Sequence, residues 1–146
     1  MKSKLYDYRF YLVIFLSLLL DQATKTIFQY KNFQLIPPLL YVRYAENPGI
    51  IFGLFENNAI FLFILPVIVI CYIIYYLHKN ELNWLGSSLV IAGLLGNIID
   101  RARLGYVIDW LLVSIVPEYN ISLFNLADAS LVIGVVILVY LSLKKK

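Results

Sequence analysis

The sequence holds a single cysteine, Cys71, and a single histidine, His78. One thiol cannot build a disulfide framework, and it is too few for a thiol–metal cluster. Cys71 lies inside an apolar run, where it reads as a small residue facing the core or the lipid. His78 falls in a short loop between two apolar runs. Charge is scarce as well: hydrophobic residues make up 62% and charged residues 14%, against about half and a quarter in soluble domains. What fills the chain is apolar sequence, in stretches long enough to matter.

A helix needs roughly 20 mainly apolar residues to cross the hydrocarbon core. Four stretches come close, at about 10–28, 59–77, 82–99 and 126–143. The expected fold is an all-α membrane protein, a four-helix transmembrane bundle forming one integral membrane domain over residues 1–146. Basic residues before the first stretch resemble a secretory signal, but DQATK follows it instead of a small-residue cleavage pattern, so it reads as a retained anchor. Lys2, Lys4, Arg9, Lys79, Lys144, Lys145 and Lys146 fall on one side of such a bundle, and Lys31, Arg43, Arg101 and Arg103 on the other. The positive-inside rule then puts both termini in the cytoplasm and the loops at about 30–58 and 100–125 at the outer face. The net charge of +3 is absorbed by topology, and no nucleic-acid partner is expected.

Polar groups in a span are costly, about 2.5–3.5 kcal/mol for Asp, Lys or Arg at a helix centre, so their placement carries information. Asp21 and Lys25 stand four apart near the outer end of the first span, on one helix face, spaced for an ion pair. Asn97, Asp100 and Arg101 form a polar stripe at the outer end of the third span. Ser88, Ala92 and Gly96 below it make a small-residue ridge for close helix approach. Arg101 beside Asp100 reads as a structural clamp. Beyond it Gly105 ends the helix, and YVIDWLLVSI reads as an extended or re-entrant stretch with Trp110 as an interfacial anchor. Asp109 in this stretch has no turn chemistry around it and needs a partner.

In the first outer loop LLYVRYAEN reads as a short strand at about 39–46, with Tyr41, Arg43 and Ala45 alternating against Val42, Tyr44 and Glu46. Asn47 and Gly49 mark a tight turn after it. Residues 50–55 are too few to span and too apolar for open water, which suits an interfacial segment. Asp109 and Asp128, the latter at the mouth of the fourth span, therefore both lie at the outer surface. Two carboxylates paired in a dry setting share a proton, so one can take a proton from water while the other polarises a carbonyl. That chemistry cleaves peptide bonds. With His78 on the cytoplasmic side, a His-based triad or zinc site at the outer face is excluded.

A small proton-coupled transporter or a non-enzymatic membrane adaptor is the competing class, since intramembrane acids and bases also mark proton relays. Against it, the acidic and amide residues gather at one face. No polar trail leads to the other side, and no inverted repeat is visible.

DQATK (21–25), NPGIIFG (47–53), GNIIDR (96–101), Asp109 of GYVIDW and FNLAD (124–128) stand in an order and spacing similar to those of the lipoprotein signal peptidases, also called signal peptidase II. The resemblance covers essentially the whole chain. It implies a bacterial membrane aspartic endopeptidase that removes the signal peptide from prolipoproteins, cutting before a diacylglyceryl-modified cysteine. It also implies Asp109 and Asp128 as the catalytic pair. Supporting or substrate-binding roles are implied for Asp21, Lys25, Asn47, Gly49, Asn97, Asp100, Arg101 and Asn125. No cofactor or metal is implied. The implied setting is the bacterial cytoplasmic (inner) membrane, with a monomer working at its extracytoplasmic face. There a small β-cradle and an interfacial helix flank a site open to membrane lipid and to globomycin-type inhibitors. Two departures stand out: Ile51 occupies a usually small position, and Ala92 precedes Gly93 where a second glycine is common.

Overall fold

Apolar sequence becomes helix, and the loops at one end become a sheet. A computed structural model describes residues 8–49, 60–116 and 119–144. Its helices are α1 (Tyr8–Phe28), α2 (Leu65–His78), α3 (Trp84–Leu104) and α4 (Leu126–Leu143). Helices α1, α3 and α4 are long and apolar enough to cross a membrane, while the apolar helical stretch Leu62–His78 is shorter. A widened π-type turn at Ile60–Ile64 leads into α2. Pro66 follows within the first turn of α2, and its missing N–H falls where the π-type turn passes into the α-helix. Cys71 on α2 is exposed, as a lipid-facing residue would be.

Local chemistry sets the bounds of α3. Asn83 is extended, and its side-chain oxygen accepts from the backbone N–H of Leu85 and Gly86, which satisfies donors left open at a helix start. Gly105, at φ 85°, ends the helix in the left-handed region, which glycine enters without a Cβ clash. Helix α3 thus runs past residue 99, where the apolar run stops. Arg101 and Arg103 lie in its last turn, where cations suit the negative end of the helix dipole.

Strands β1 (Asn32–Ile36), β2 (Leu40–Asn47), β3 (Val107–Val116) and β4 (Tyr119–Phe124) form one antiparallel sheet in the order β1-β2-β3-β4. The molecule is therefore mostly helical with a small four-stranded antiparallel sheet, in keeping with the small β-cradle that the family resemblance implies, where patterning alone suggests one short outer strand. The extended stretch expected around Asp109 is a full central strand. Strict alternation along β2 also fails. Val42 lies opposite Leu111, but Ala45 lies opposite Asp109 and Asn47 opposite Val107, so the register slips by one residue between them. Such a bulge re-aims side chains. Here it turns Ala45 and Asn47 onto the face of β3 that carries Asp109. The expected interfacial segment at 50–55, with Ile51, lies outside the described residues.

Helix α3 is the centre of the bundle. Half of its apolar window is buried, against 17% in α1 and 11% in α4. The outer faces of α1 and α4 present Leu12, Phe15, Leu19, Val132 and Val136 outward, the pattern of helices whose solvent is lipid. Ser88, Ala92 and Gly96 are all buried on α3, as the small-residue ridge requires. The closest approach to α4 also uses Gly86 and Gly93. A Cβ on Gly93 would overlap the Ala127 carbonyl oxygen and come within 2.9 Å of the Leu131 Cβ, and one on Gly134 would lie 2.7 Å from the Gly86 carbonyl oxygen. Backbone meets backbone there, and no flexible side chain can yield. Gly93→Val should therefore destabilise the protein by roughly 1–3 kcal/mol or more, the usual cost of overpacking. Thermal unfolding in detergent reads this as a lowered midpoint. An unchanged midpoint would mean that α3 and α4 do not meet this closely.

Candidate active site

The carboxyl-terminal ends of α1 and α3 and the amino-terminal end of α4 meet beneath the sheet, and the polar residues of the spans collect there. At the bottom lies Lys25, 2% exposed. Its ammonium is 2.9 Å from Asp21 Oδ2 and 2.9 Å from Asp100 Oδ2, and it donates to Asn97 Oδ1 at 3.2 Å. The expected pair of Asp21 and Lys25 is present, and α3 completes it as a triad. Both acids are themselves buried and take further donors. Asp21 Oδ1 accepts the backbone N–H of Ala127 at 2.9 Å, and Asp100 Oδ2 accepts that of Ile108 at 3.1 Å. A buried charge is tolerable only when paired and hydrogen-bonded in this way.

Arg101 does not clamp Asp100. Among the described residues Asp100 has Lys25 as its ionic partner, while Arg101 donates to the Gly49 carbonyl at 2.6 Å and to the Asn97 carbonyl at 3.5 Å. Adjacent helical residues point about 100° apart, so Asp100 turns inward to α1 and Arg101 turns to the loop after β2. Arg101 thereby ties Gly49 to α3, within electrostatic reach of Asp128, Asp109 and Asp100.

Above the charged layer lies a layer of amides. Asn47 Nδ2 donates to Asp109 Oδ2 at 3.0 Å, Asn125 Nδ2 to Asp109 Oδ1 at 2.8 Å, and Asn97 Nδ2 to Asp128 Oδ1 at 2.7 Å. Each amide has its oxygen held by a donor elsewhere. Gly49 N–H bonds Asn47 Oδ1 at 3.1 Å, Asp128 N–H bonds Asn125 Oδ1 at 2.9 Å, and Lys25 bonds Asn97 Oδ1. That fixes which end of each amide faces a carboxylate. Asn125, fully buried, also joins the two acids: its side chain holds Asp109 while its backbone N–H donates to Asp128 Oδ2 at 3.3 Å.

Asn125 and Asp128 form a capping box at the start of α4, each side chain bonding the other's backbone. A carboxylate in a first helical turn is further favoured by the helix dipole. An acid at the mouth of an apolar span is therefore locally stabilised. Asp109 sits on β3 at 4% exposure. Burial pushes its carboxyl from the usual 3.8 up to about 6, with the charge of Asp128 adding to the rise and hydrogen bonds from Asn47 and Asn125 opposing it. Two acids in mutual electrostatic reach, one of them titrating near neutrality, can hold one proton between them. Such a pair can accept a proton from water and donate one to a substrate oxygen or nitrogen.

The structure thus brings together Asp21, Lys25, Asn47, Gly49, Asn97, Asp100, Arg101, Asp109, Asn125 and Asp128 at one end of the bundle. Gln22 joins the site without having been expected there from the sequence. Its amide donates to Asp100 Oδ1 at 2.9 Å and to Asp21 Oδ2 at 3.1 Å, and its oxygen accepts from Arg103 at 3.3 Å. A polar residue next to Asp21 in an otherwise apolar span was the available signal. Trp110 was expected as an interfacial anchor and is instead buried, its ring 4.4 Å from that of Phe28, so it packs β3 onto the end of α1.

Comparison with known proteins places the chain in a family. The model of a family described as Signal peptidase (SPase) II matches residues 13–144. The chain is 38% identical over 143 residues to a lipoprotein signal peptidase of Thermodesulfovibrio yellowstonii, covering 94% of this chain and 97% of that protein. It is 42% identical over 118 residues to one from Enterococcus faecalis, covering 77% and 71%. A solved bacterial membrane enzyme superposes with a TM-score of 0.85 at 32% identity, over 99% of this chain and 93% of that one. The chain belongs to the signal peptidase II family, the lipoprotein signal peptidases.

Proposed function

We propose that this chain is an aspartic endopeptidase that removes the signal peptide from prolipoproteins, cutting before the diacylglyceryl-modified cysteine, with Asp109 and Asp128 as the catalytic pair. The observation that carries the reading is that Asn125 holds both carboxylates at once, in a buried setting ringed by amide donors. The reaction uses one ionised and one protonated acid. The ionised carboxylate takes a proton from a water whose oxygen attacks the scissile carbonyl carbon, and the protonated acid donates to the carbonyl oxygen. A tetrahedral diol forms. Its collapse breaks the C–N bond as a carboxyl proton passes to the departing amine of the lipidated cysteine. Asn47, Asn97 and Asn125 orient the acids, Arg101 and Gly49 shape the loop beside them, and Asp21, Lys25 and Asp100 support the frame.

The proposed setting is the cytoplasmic (inner) membrane of a bacterium. Four spans, the second formed by residues of about 59–77, make one domain with both termini in the cytoplasm. The site then faces outward, where the cleavage point of a transmembrane signal helix emerges. The sheet lies over the membrane surface. The enzyme works as a monomer, with lipid reaching the site from the bilayer and a globomycin-type inhibitor competing there.

Asp109→Asn and Asp128→Asn should each cut turnover of a lipidated prolipoprotein by more than about a hundredfold while the protein stays folded and membrane-inserted. Wild-type activity should survive EDTA. Near wild-type turnover in either variant, or loss of activity on chelation, would overturn the reading. The kcat/KM of the wild type should fall as pH rises through about 6, because the pair then loses the one proton that the protonated acid must donate to the carbonyl oxygen. The sign for stability is the same. A carboxyl whose folded pKa is raised stabilises the fold at pH below its unfolded value and loses that contribution as pH rises through about 6. Asp109→Asn, uncharged throughout, should therefore be at least as stable as wild type at pH 8. Unfolding midpoints of the two proteins at pH 5 and pH 8 decide it.

A further inference from the structure

Asp21 and Asp100 do more than neutralise Lys25. Asp21 bonds the backbone N–H of Ala127, the residue immediately before Asp128. Asp100 bonds the backbone N–H of Ile108, the residue immediately before Asp109. Both acids are held by the same ammonium at 2.9 Å. The third bond of that ammonium goes to Asn97 Oδ1, which leaves Asn97 Nδ2 facing Asp128 Oδ1. Every arm of Lys25 thus ends one bond or one residue away from a member of the pair. The arms come from two helices, α1 and α3, and reach two further elements, α4 and β3.

We propose that Lys25 is a positioning residue for the reaction: one buried cation sets the spacing and orientation of Asp109 and Asp128 through Asp21, Asp100 and Asn97. This rests on the reading of Asp109 and Asp128 as the catalytic pair. The geometry explains why the triad is charged. Two backbone amides could be held by neutral acceptors, but neutral acceptors on α1 and α3 would have no reason to converge. A shared ammonium draws both carboxylates to one point. The backbone segments they carry, the first turn of α4 and the start of β3, are drawn together with them. Close packing leaves room for this arrangement, since a Cβ on Gly96 would lie 2.8 Å from Asp21 Oδ2 and 2.9 Å from the Ala127 Cβ.

The role predicts a split between stability and turnover. Lys25→Met leaves two buried carboxylates without a cation and should lower both the unfolding midpoint and kcat. Adding Asp21→Asn and Asp100→Asn to Lys25→Met removes those uncompensated charges while keeping an acceptor oxygen for the N–H groups of Ala127 and Ile108. In this triple variant the unfolding midpoint should recover towards wild type. The kcat should stay reduced by about tenfold or more with KM little changed, because a misplacement of about 1 Å can cost about a hundredfold in rate. If kcat returns together with stability, Lys25 serves folding alone and the proposal fails. A raised KM with wild-type kcat would also overturn it, since that marks a substrate contact.

A second comparison stands whether or not the Lys25 variants fold. Asp21→Asn keeps an acceptor for Ala127 N–H and should retain clearly more kcat than Asp21→Ala, each measured on the folded fraction isolated by gel filtration. Equal kcat in the two variants would show that the bond to Ala127 does not position Asp128. Asp109→Asn serves as the control for the underlying reading. Full activity in that variant would remove the catalytic pair itself, an outcome distinct from any result at Lys25.

Discussion

The ion triad of Lys25, Asp21 and Asp100 is the constraint on which the rest of the structure depends. Three charges at 1–2% exposure inside an apolar bundle are stable only together, because removing one partner from a buried pair costs roughly 3–5 kcal/mol. Their mutual need fixes α1 against α3, and the bond from Asp21 to Ala127 N–H fixes both against α4. The glycines of α3 make the same statement from the apolar side: Gly86 and Gly93 let α4 approach to backbone contact. Lipid offers no hydrophobic drive for helices to associate, so packing and polar bonds must hold them. Here the two act at adjacent levels of one interface.

Charge and chemistry are separated by depth. Formal charges pair with each other at the bottom of the site, whereas Asp109 and Asp128 take their direct hydrogen bonds from neutral amides and backbone N–H groups. Had Lys25 bonded Asp109 directly, the carboxyl would be held in its ionised form. Amide donors counter part of the effect of burial and leave the Asp109 carboxyl at about 6, high enough for the pair to keep one proton close to neutral pH. The same amides restrict rotation of both acids, so orientation and proton affinity are set by one group of residues.

Much of this was legible in the sequence, for reasons that can be named. Helices α1, α3 and α4 follow from apolar runs of spanning length, and the pairing of Asp21 with Lys25 follows from helical spacing alone. Asp100 could be placed at the polar tip of α3, but its partner could not. Adjacency in sequence suggested Arg101, whereas the helix turns the two side chains apart and tertiary packing supplies Lys25. The capping box of Asn125 and Asp128 was present in FNLAD as an amide followed three residues later by an acid. Strand β1 carries only four alternating residues, Asn32 to Leu35, and both of its faces are exposed, so no buried face marks it as a strand. The slip in β2 that brings Asn47 to Asp109 is a property of strand pairing, and a single strand read alone shows only its alternation.

The central claim is that the two carboxylates activate water and never become covalently attached to the substrate. A single turnover in heavy-oxygen water, with enzyme in excess over a lipidated prolipoprotein, tests it directly by mass spectrometry of both the released signal peptide and the enzyme's own peptides. The account predicts one heavy oxygen in the new terminal carboxylate of the signal peptide and none in the side chains of Asp109 and Asp128. Heavy oxygen in either aspartate would show that the side chain attacked the carbonyl itself and was released by hydrolysis, and would contradict the account.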